Sequence, residues 1–263
     1  MPSDSAIQIT DRLITDAPLE ANAFALQKGA WKYDYEKLTL DEIIANAKWD
    51  ARPRYCAETF PEFKDLDILE FGPSDGYNTL GLELEGATKI TSIEANVGAF
   101  IRCLILKNAF QMKTKFLLGD FLKYLDEVNR KVGLIYASGV LYHLVDPIDF
   151  LLKCGDKSQN LFIWSFFYDP EVISKLDFEK TCFSGETEEK IVSGRKFTYY
   201  KRYYQPEIVA DVKYAGGLLP YANWLTKDDL FAAIELAGYK IQRHYLDTHS
   251  KVPAYNILAS KSG

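Results

Sequence analysis

A short segment with two glycines constrains the fold of this chain more than any other. Asp67–Tyr77 begins as an apolar strand, passes the acid Glu70 and turns through Gly72 and Gly76 into a helix. Glycine has no β-carbon, so the backbone can turn tightly there and approach a ligand closely. A second acid, Glu94, ends the next strand. The pattern predicts a nucleoside-containing ligand across the carboxyl ends of two parallel strands.

Apolar strands alternate with helical patterns through the centre of the chain. We predict strands at Leu66–Phe71, Lys89–Glu94, Lys115–Leu118, Val132–Ala137 and Asn160–Ser165. Such alternation is typical of a parallel sheet with helices on both faces. Two closing strands, Tyr239–Tyr245 and Tyr255–Ala259, have a short link that indicates antiparallel pairing. We therefore predict an α/β fold, doubly wound, with a mostly parallel seven-stranded sheet and one antiparallel edge strand.

An aromatic-rich insertion follows the fifth strand, at residues 166–223. Within it, Lys190–Phe197 contains a Ser-Gly pair that favours a hairpin turn. Its tyrosines and basic side chains suit recognition of rings, phosphates or carboxylates. The alternative is a solvated hairpin face with tyrosines packed beneath it. We predict an insertion within one domain rather than a separate domain.

Charge and cysteine content narrow the class of protein. The formal net charge is −6, so nucleic acid is disfavoured as a partner but not excluded. No metal is expected, since no cysteine or histidine pair has ligand spacing among Cys56, Cys103, Cys154 and Cys182. No apolar run is long enough for a membrane span, and the first residues lack a signal-peptide pattern. We expect a cytoplasmic protein with reduced thiols.

Four short runs resemble the motifs of class I S-adenosylmethionine-dependent methyltransferases. They are Ile68–Tyr77, Ile93–Asn96, Gly119–Phe121 and Ser138–His143. The last run reads Gly-Val-Leu-Tyr-His from Gly139 and is similar to a bacterial subset that includes tRNA wobble-uridine carboxymethyltransferases. The resemblance implies S-adenosylmethionine as cofactor and S-adenosylhomocysteine as product.

The same resemblance implies one methyltransferase domain over residues 1–263. Its parts are a lead-in or lid at 1–60, a cofactor-binding core at 61–165, an insertion or substrate cap at 166–223, and a closing helix and strands at 224–263.

The resemblance also implies roles for residues of the glycine-containing turn. Glu70, Gly72, Ser74 and Gly76 would flank the methionine and ribose of the cofactor, and Glu94 would hold the ribose hydroxyls. Ser74 departs from the family, which has glycine at that position.

Later strands would complete the cofactor site. Asp120 would bond the adenine amino group, with the Phe121 amide nearby, and Ala137 and Ser138 would lie beside the methionine.

Residues after the fourth strand argue against several reaction classes. The chain has no Asp/Asn-Pro-Pro-Tyr/Phe run and no Pro-Cys nucleophile, and Ala137-Ser138 replaces the acid of a catechol-type metal site. We predict metal-independent methyl transfer to an oxygen or nitrogen of a small molecule, such as a sugar or secondary metabolite. Two alternatives are a tRNA-modifying (carboxy)methyltransferase and a non-catalytic binding module. A nicotinamide-dependent oxidoreductase is disfavoured, because Ser74 and Tyr77 replace two fingerprint glycines.

His143 is the one histidine near the predicted site and the candidate general base, since imidazole titrates near neutral pH. The alternative is that His143 orients its loop. Nearby aromatic residues are candidate substrate contacts, with ordinary packing as the alternative: Tyr142, Trp31, Trp164 and Trp224. The acceptor molecule and the oligomeric state are left open, a dimer included.

Overall fold

Seven strands form the central sheet in the computed structural model, which describes residue 14, residues 17–33 and residues 35–261. They are β1 Asp67–Phe71, β2 Lys89–Glu94, β3 Lys115–Leu118, β4 Val132–Ser138, β5 Ser158–Phe166, β9 Tyr239–Asp247 and β10 Ala254–Lys261. Their order across the sheet is β3-β2-β1-β4-β5-β10-β9. The order reverses between β1 and β4, and sheets of this kind bind ligands at the carboxyl ends of strands beside that reversal.

The pairing confirms the predicted mostly parallel seven-stranded sheet. Strands β1 to β5 pair in parallel, whereas β10 is antiparallel to both β5 and β9. The antiparallel pairing therefore lies at one edge of the sheet, with β10 one position inside and β9 outermost.

Helices cover both faces of this sheet. Those in the described ranges are α1 Glu20–Ala25, α2 Leu40–Trp49, α3 Ala51–Thr59, α4 Tyr77–Leu84, α5 Val97–Phe110, α6 Phe121–Glu127, α7 Pro147–Lys157, α8 Pro170–Ile173, α9 Asp177–Cys182, α10 Pro206–Val209 and α11 Lys227–Leu236. Not one of these helices has the length and apolar character needed to cross a membrane.

Side chains alternate between the two faces along each central strand. On β1, Leu69 joins a core cluster with residues of α6, α7 and α11, whereas Ile68 joins a second cluster with residues of α3 and α4. A third cluster unites α1, α2 and α5 around Trp31 and Leu106. Both faces of the sheet are thus buried, as parallel strands require.

Polar caps fix where the helices beside the strand ends begin. Asn96, which follows β2, accepts a hydrogen bond from the Ala99 amide at the start of α5. Asp146 does the same for the Asp149 amide in α7. Such caps satisfy amides that a helix leaves unpaired at its first turn. They bring the amino ends of these helices to the carboxyl edge of the sheet.

The insertion forms a second, antiparallel sheet of β6 Phe183–Val192, β7 Arg195–Tyr203 and β8 Tyr221–Trp224. The predicted hairpin is confirmed: Ser193 and Gly194 both have positive φ, as a two-residue primed turn requires. Strand β8 was not predicted. Its Asn223 amide donates to the Leu144 carbonyl at 2.9 Å, which ties the insertion to the loop after β4.

Candidate functional site

A cavity of about 1240 Å³ opens at the carboxyl edge of the central sheet. Its lining comes from segments that are distant in sequence: 32–33, 49–52, 72–75, 77–78, 94–96, 120–122, 138–140, 142–146, 214–219 and residues 70, 99, 164, 245, 247 and 249. The volume exceeds the range of roughly 300–1,000 Å³ for pockets that hold one small ligand. The cavity therefore has room for two small molecules side by side.

The turn after β1 forms one wall of the cavity. Gly72 has a φ of 60°, and a β-carbon there would lie 3.1 Å from a methyl group of Val140. Ser74 also has a positive φ, 55°, which explains why glycine suits this position better. The Ser74 hydroxyl is buried and has no partner among the described residues. The Ser74 carbonyl accepts a hydrogen bond from the Cys103 thiol at 3.0 Å.

Glu94 anchors this turn from the end of β2. One carboxylate oxygen accepts the Ser74 amide at 2.9 Å, and the other accepts the Asn96 amide at 2.8 Å. Burial raises the pKa of Glu94, and these backbone hydrogen bonds oppose the rise. Glu94 lines the cavity and is 8% exposed. The structure places Glu94 at the cavity, and its contact with a cofactor stays a prediction.

Glu70, which was predicted to contact the cofactor, is almost completely buried. One carboxylate oxygen accepts the hydroxyls of Thr79, at 2.6 Å, and of Ser92. Burial raises the pKa of Glu70 to about 7, although both hydroxyl hydrogen bonds favour the ionised form. Glu70 lies at the cavity floor, where it ties β1 to α4 and β2.

The other predicted cofactor contacts divide into two groups. Asp120, Phe121 and Ser138 line the cavity, and Asp120 also caps α6 by accepting the Leu122 amide at 2.9 Å. Ala137 is buried within β4, and Gly76 precedes α4 with a φ of 79°. Neither of these two lines the cavity, so they support its walls from behind.

An arginine that the sequence did not single out lies at the centre of the site. Arg52 makes a bidentate ion pair with Asp50, donates to the Ser138 hydroxyl at 2.9 Å and lies 5.1 Å from the centre of the Trp164 ring. Burial alone would raise the pKa of Asp50, but the hydrogen bonds from Arg52 and its positive charge lower the pKa of Asp50 overall. Asn78 also donates to Asp50 at 2.9 Å.

A second ion pair that the sequence did not single out supports the turn after β1. Arg102 donates to Asp75 at 2.7 Å, and both side chains are buried. The other Asp75 oxygen accepts the Lys32 amide at 2.6 Å. This places the Lys32 ammonium at the cavity, where partial burial lowers its pKa. The pair thus joins the N-terminal segment to the turn.

His143 lies in a short 3₁₀ turn after β4 and lines the cavity. Its Nδ1 is 2.6 Å from the Tyr204 hydroxyl, which in turn accepts the Gly217 amide at 3.1 Å. Burial lowers the pKa of His143 to about 3, and the charges of Lys32 and Arg202 act in the same direction. The imidazole is therefore neutral at physiological pH.

Residues 214–219, here called the strap, cross the cavity from the insertion. The Tyr214 carbonyl accepts the Asn96 side-chain amide at 3.4 Å, and the Tyr214 hydroxyl donates to the Gly217 carbonyl at 2.9 Å. Gly217 also packs against the His143 carbonyl, so the strap touches the segments that follow β2 and β4. The sequence placed these residues in the predicted insertion or substrate cap but singled out none of them, because Tyr214–Leu219 carries no recognised motif.

The four aromatic candidates have different surroundings. Tyr142 and Trp164 line the cavity, and the Tyr142 hydroxyl has no hydrogen bond within the described residues. The predictions for Trp31 and Trp224 need correction, since neither lines the cavity. Trp31 is a core residue whose indole donates to the Phe24 carbonyl at 3.0 Å. Trp224 packs behind Tyr142 and donates to its carbonyl at 2.9 Å.

Among the described residues, no three His, Cys, Asp or Glu side chains come together as metal ligands. The four cysteines are buried and unpaired.

Solved structures share this architecture along nearly the whole chain. The N-terminal domain of EvdMO1 with S-adenosylhomocysteine bound has a TM-score of 0.58 and 16% identity, covering 93% of this chain and 95% of that one. Magnesium protoporphyrin IX methyltransferase (ChlM) from Synechocystis, also with S-adenosylhomocysteine bound, has a TM-score of 0.55 and 12% identity, covering 92% and 94%. The fold is that of S-adenosylmethionine-dependent methyltransferases.

A third structure extends the likeness. An S-adenosylmethionine-dependent methyltransferase from Mesorhizobium loti has a TM-score of 0.53 and 12% identity, covering 83% of this chain and 100% of that one. No family model matches the chain, and no curated protein matches it in sequence. The shared property is therefore the fold.

Proposed function

We propose that this protein binds S-adenosylmethionine and transfers its methyl group to an oxygen or nitrogen of a small molecule. The observation that carries the proposal is the Glu94 carboxylate, which anchors the Ser74 amide and faces the cavity from the end of the neighbouring strand. Carboxylates in this position accept the hydroxyls of a ribose.

The residues of the turn fit such a cofactor. Gly72 brings the backbone to the cavity, and the buried, unpartnered Ser74 hydroxyl needs a polar partner. Asp120 and the Phe121 amide stand at the next strand end, where the adenine would lie. The Arg52–Asp50 pair and Ser138 would hold the methionine end. When bound, the cofactor supplies a methyl group that is already activated as part of a sulfonium.

The chain itself must align the acceptor and exclude water, since the methyl donor needs no further activation. Tyr142 and Trp164 are the predicted substrate residues that line the cavity. Tyr142 packs against Trp164, Phe166 and Trp224, so its free hydroxyl is held in one place. Because β4 ends in Ala137-Ser138 rather than an acid, we keep the proposal of a metal-independent transfer.

A small acceptor is favoured over tRNA by the charges of the insertion. Four of its eight basic side chains form ion pairs: Lys190 with Asp146, Lys196 with Glu189, Lys201 with Glu186 and Arg202 with Glu179. Ion-paired lysines form a poor phosphate-binding face. Residues of the strap also line the cavity.

The neighbouring structures guide the choice of acceptors for a first screen. EvdMO1 was also solved in the presence of D-fucose, and ChlM acts on a magnesium porphyrin. A panel should therefore contain free and glycosidic sugars and porphyrins, with bulk tRNA as the competing substrate.

Titration calorimetry with S-adenosylmethionine and S-adenosylhomocysteine tests the cofactor. We expect both to bind with one site per chain; absence of heat and of any thermal shift would overturn the proposal. Release of S-adenosylhomocysteine with the panel then tests the acceptor. Turnover with tRNA alone would replace the small-molecule assignment, and binding without turnover on any class would favour a binding module.

A further inference from the structure

The Tyr204 hydroxyl lies between two hydrogen-bonding groups from different parts of the chain. Its oxygen is 3.1 Å from the Gly217 amide nitrogen of the strap and 2.6 Å from Nδ1 of His143. The Tyr204 side chain is buried, with 9% of its surface exposed. The direction of both hydrogen bonds can therefore be deduced from which groups carry protons.

The Gly217 amide can only donate, so the Tyr204 oxygen accepts that hydrogen bond. The hydroxyl proton of Tyr204 then needs an acceptor of its own, because a buried donor without a partner is unfavourable. In the described part of the chain, Nδ1 of His143 is the acceptor within reach. Tyr204 therefore donates to Nδ1, and Nδ1 carries no proton.

A neutral imidazole with a bare Nδ1 has its proton on Nε2. The reverse arrangement, with Nδ1–H donating to Tyr204, would give the hydroxyl oxygen two donors and leave its own proton unpaired. The charged groups near the ring also disfavour a second proton, since the ammonium of Lys32 and the guanidinium of Arg202 are both positive. Arg202 lies 5.8 Å from the centre of the Tyr204 ring.

The protonated nitrogen, Nε2, is available to a ligand. His143 lines the cavity, and Nε2 neither bonds to a described residue nor belongs to the buried polar atoms without a partner. Nε2–H thus points a hydrogen-bond donor at whatever molecule occupies this part of the cavity.

We propose that Tyr204 is a positioning residue that holds His143 as its Nε2–H tautomer, so that His143 donates a hydrogen bond to the acceptor molecule instead of removing its proton. The tautomer stands on the geometry alone, whereas the contact with an acceptor rests on the proposed function. The partner of Nε2–H is an atom with a free lone pair, such as a hydroxyl, carbonyl or carboxylate oxygen. This role replaces the general base expected from the sequence.

Nuclear magnetic resonance of uniformly ¹⁵N-labelled protein tests the tautomer without any substrate. The chain has three histidines, so a His143→Gln spectrum identifies the His143 signals by their loss. We expect a protonated Nε2 and an unprotonated Nδ1, unchanged from pH 5 to pH 8. A protonated Nδ1, or titration near the ordinary value of roughly 6.5, would overturn the proposal.

Tyr204→Phe isolates the contribution of the hydroxyl. We expect the tautomer ratio to shift about tenfold toward Nδ1–H, the effect of losing one net hydrogen bond. Tyr214→Phe is the matched control, because it removes the hydroxyl that donates to the Gly217 carbonyl but leaves Tyr204 in place. Its tautomer ratio should equal that of the wild type; an equal shift in both variants would contradict a specific role for Tyr204.

The wild-type spectrum is decisive even if Tyr204→Phe does not fold. It also separates this inference from the proposed function. If the spectrum shows the Nε2–H tautomer but the protein does not bind S-adenosylhomocysteine, the inference about Tyr204 holds and the proposed methyltransferase function is wrong.

Discussion

Gly217 packs directly against the carbonyl oxygen of His143, and a β-carbon on Gly217 would collide with that oxygen. This contact joins the strap to the loop after β4 at the point where Tyr204 also bonds both segments. Glycine is required here by close approach of two backbones.

Gly217→Ala should therefore displace the strap. We expect a loss of about 1–3 kcal/mol in the free energy of unfolding, because the colliding atom belongs to the backbone and cannot rotate away. Gly98→Ala in α5 is the control, since its β-carbon would meet side-chain atoms no closer than 3.3 Å. Chemical denaturation measures both, and equal stability of the two variants would contradict the prediction.

Glu94→Gln should weaken binding of S-adenosylhomocysteine. The amide keeps the size of the side chain but loses the charge that would strengthen the proposed hydrogen bonds to ribose hydroxyls. We expect the dissociation constant to rise about 10- to 100-fold. Glu62→Gln provides the control, because Glu62 is exposed and precedes β1, at the end of the strand away from the cavity. Calorimetry on both variants checks this, and an unchanged affinity in Glu94→Gln would remove the residue from the site.

Glu70 makes stability depend on pH in an unusual direction. Its pKa is raised from 4.5 to about 7, so the folded protein holds a proton that the unfolded chain has lost. The stabilisation is full below pH 4.5 and disappears as the pH rises through about 7. It amounts to about 3 kcal/mol at most.

Comparison with Glu70→Gln isolates this effect. Urea unfolding at pH 5 and pH 8 should show wild type losing stability relative to the variant as the pH rises. A parallel pH dependence of the two proteins would show that Glu70 titrates normally.

Arg52 and Asp50 should behave as one unit. Removing either side chain leaves the charge of the other partly buried and without its ion-pair partner. The single variants Arg52→Gln and Asp50→Asn should therefore both destabilise the fold. The double variant should be less destabilised than their sum, with a coupling of more than about 1 kcal/mol. Thermal and urea unfolding of the four proteins complete the cycle, and strictly additive effects would show that the pair contributes nothing.

The sequence predicted the central sheet and the positions of Glu94 and Asp120 because local patterns carry that information. A buried strand that ends in an acid places the acid at the carboxyl edge, whatever packs around it. The Ser193-Gly194 hairpin was predictable for the same reason, since two residues determine the turn.

Residues that act across long sequence separations were not predictable in this way. Arg52 reaches Ser138, and Tyr204 reaches His143, through contacts that no local period records. Trp31 and Trp224 show the converse error. Both are aromatic and near the site in sequence, but their indole groups donate to backbone carbonyls behind the cavity wall.

Cys103 gives the glycine-containing turn a built-in reporter. Its thiol is fully buried and donates to the Ser74 carbonyl, and burial raises its pKa well above the usual value. Movement of the turn away from α5 would break this contact and open one route to the thiol for a reagent. The rate at which a thiol reagent modifies Cys103 would therefore report on opening of the turn. A molecule that occupies the cavity and holds the turn closed should lower that rate, and no probe residue has to be introduced.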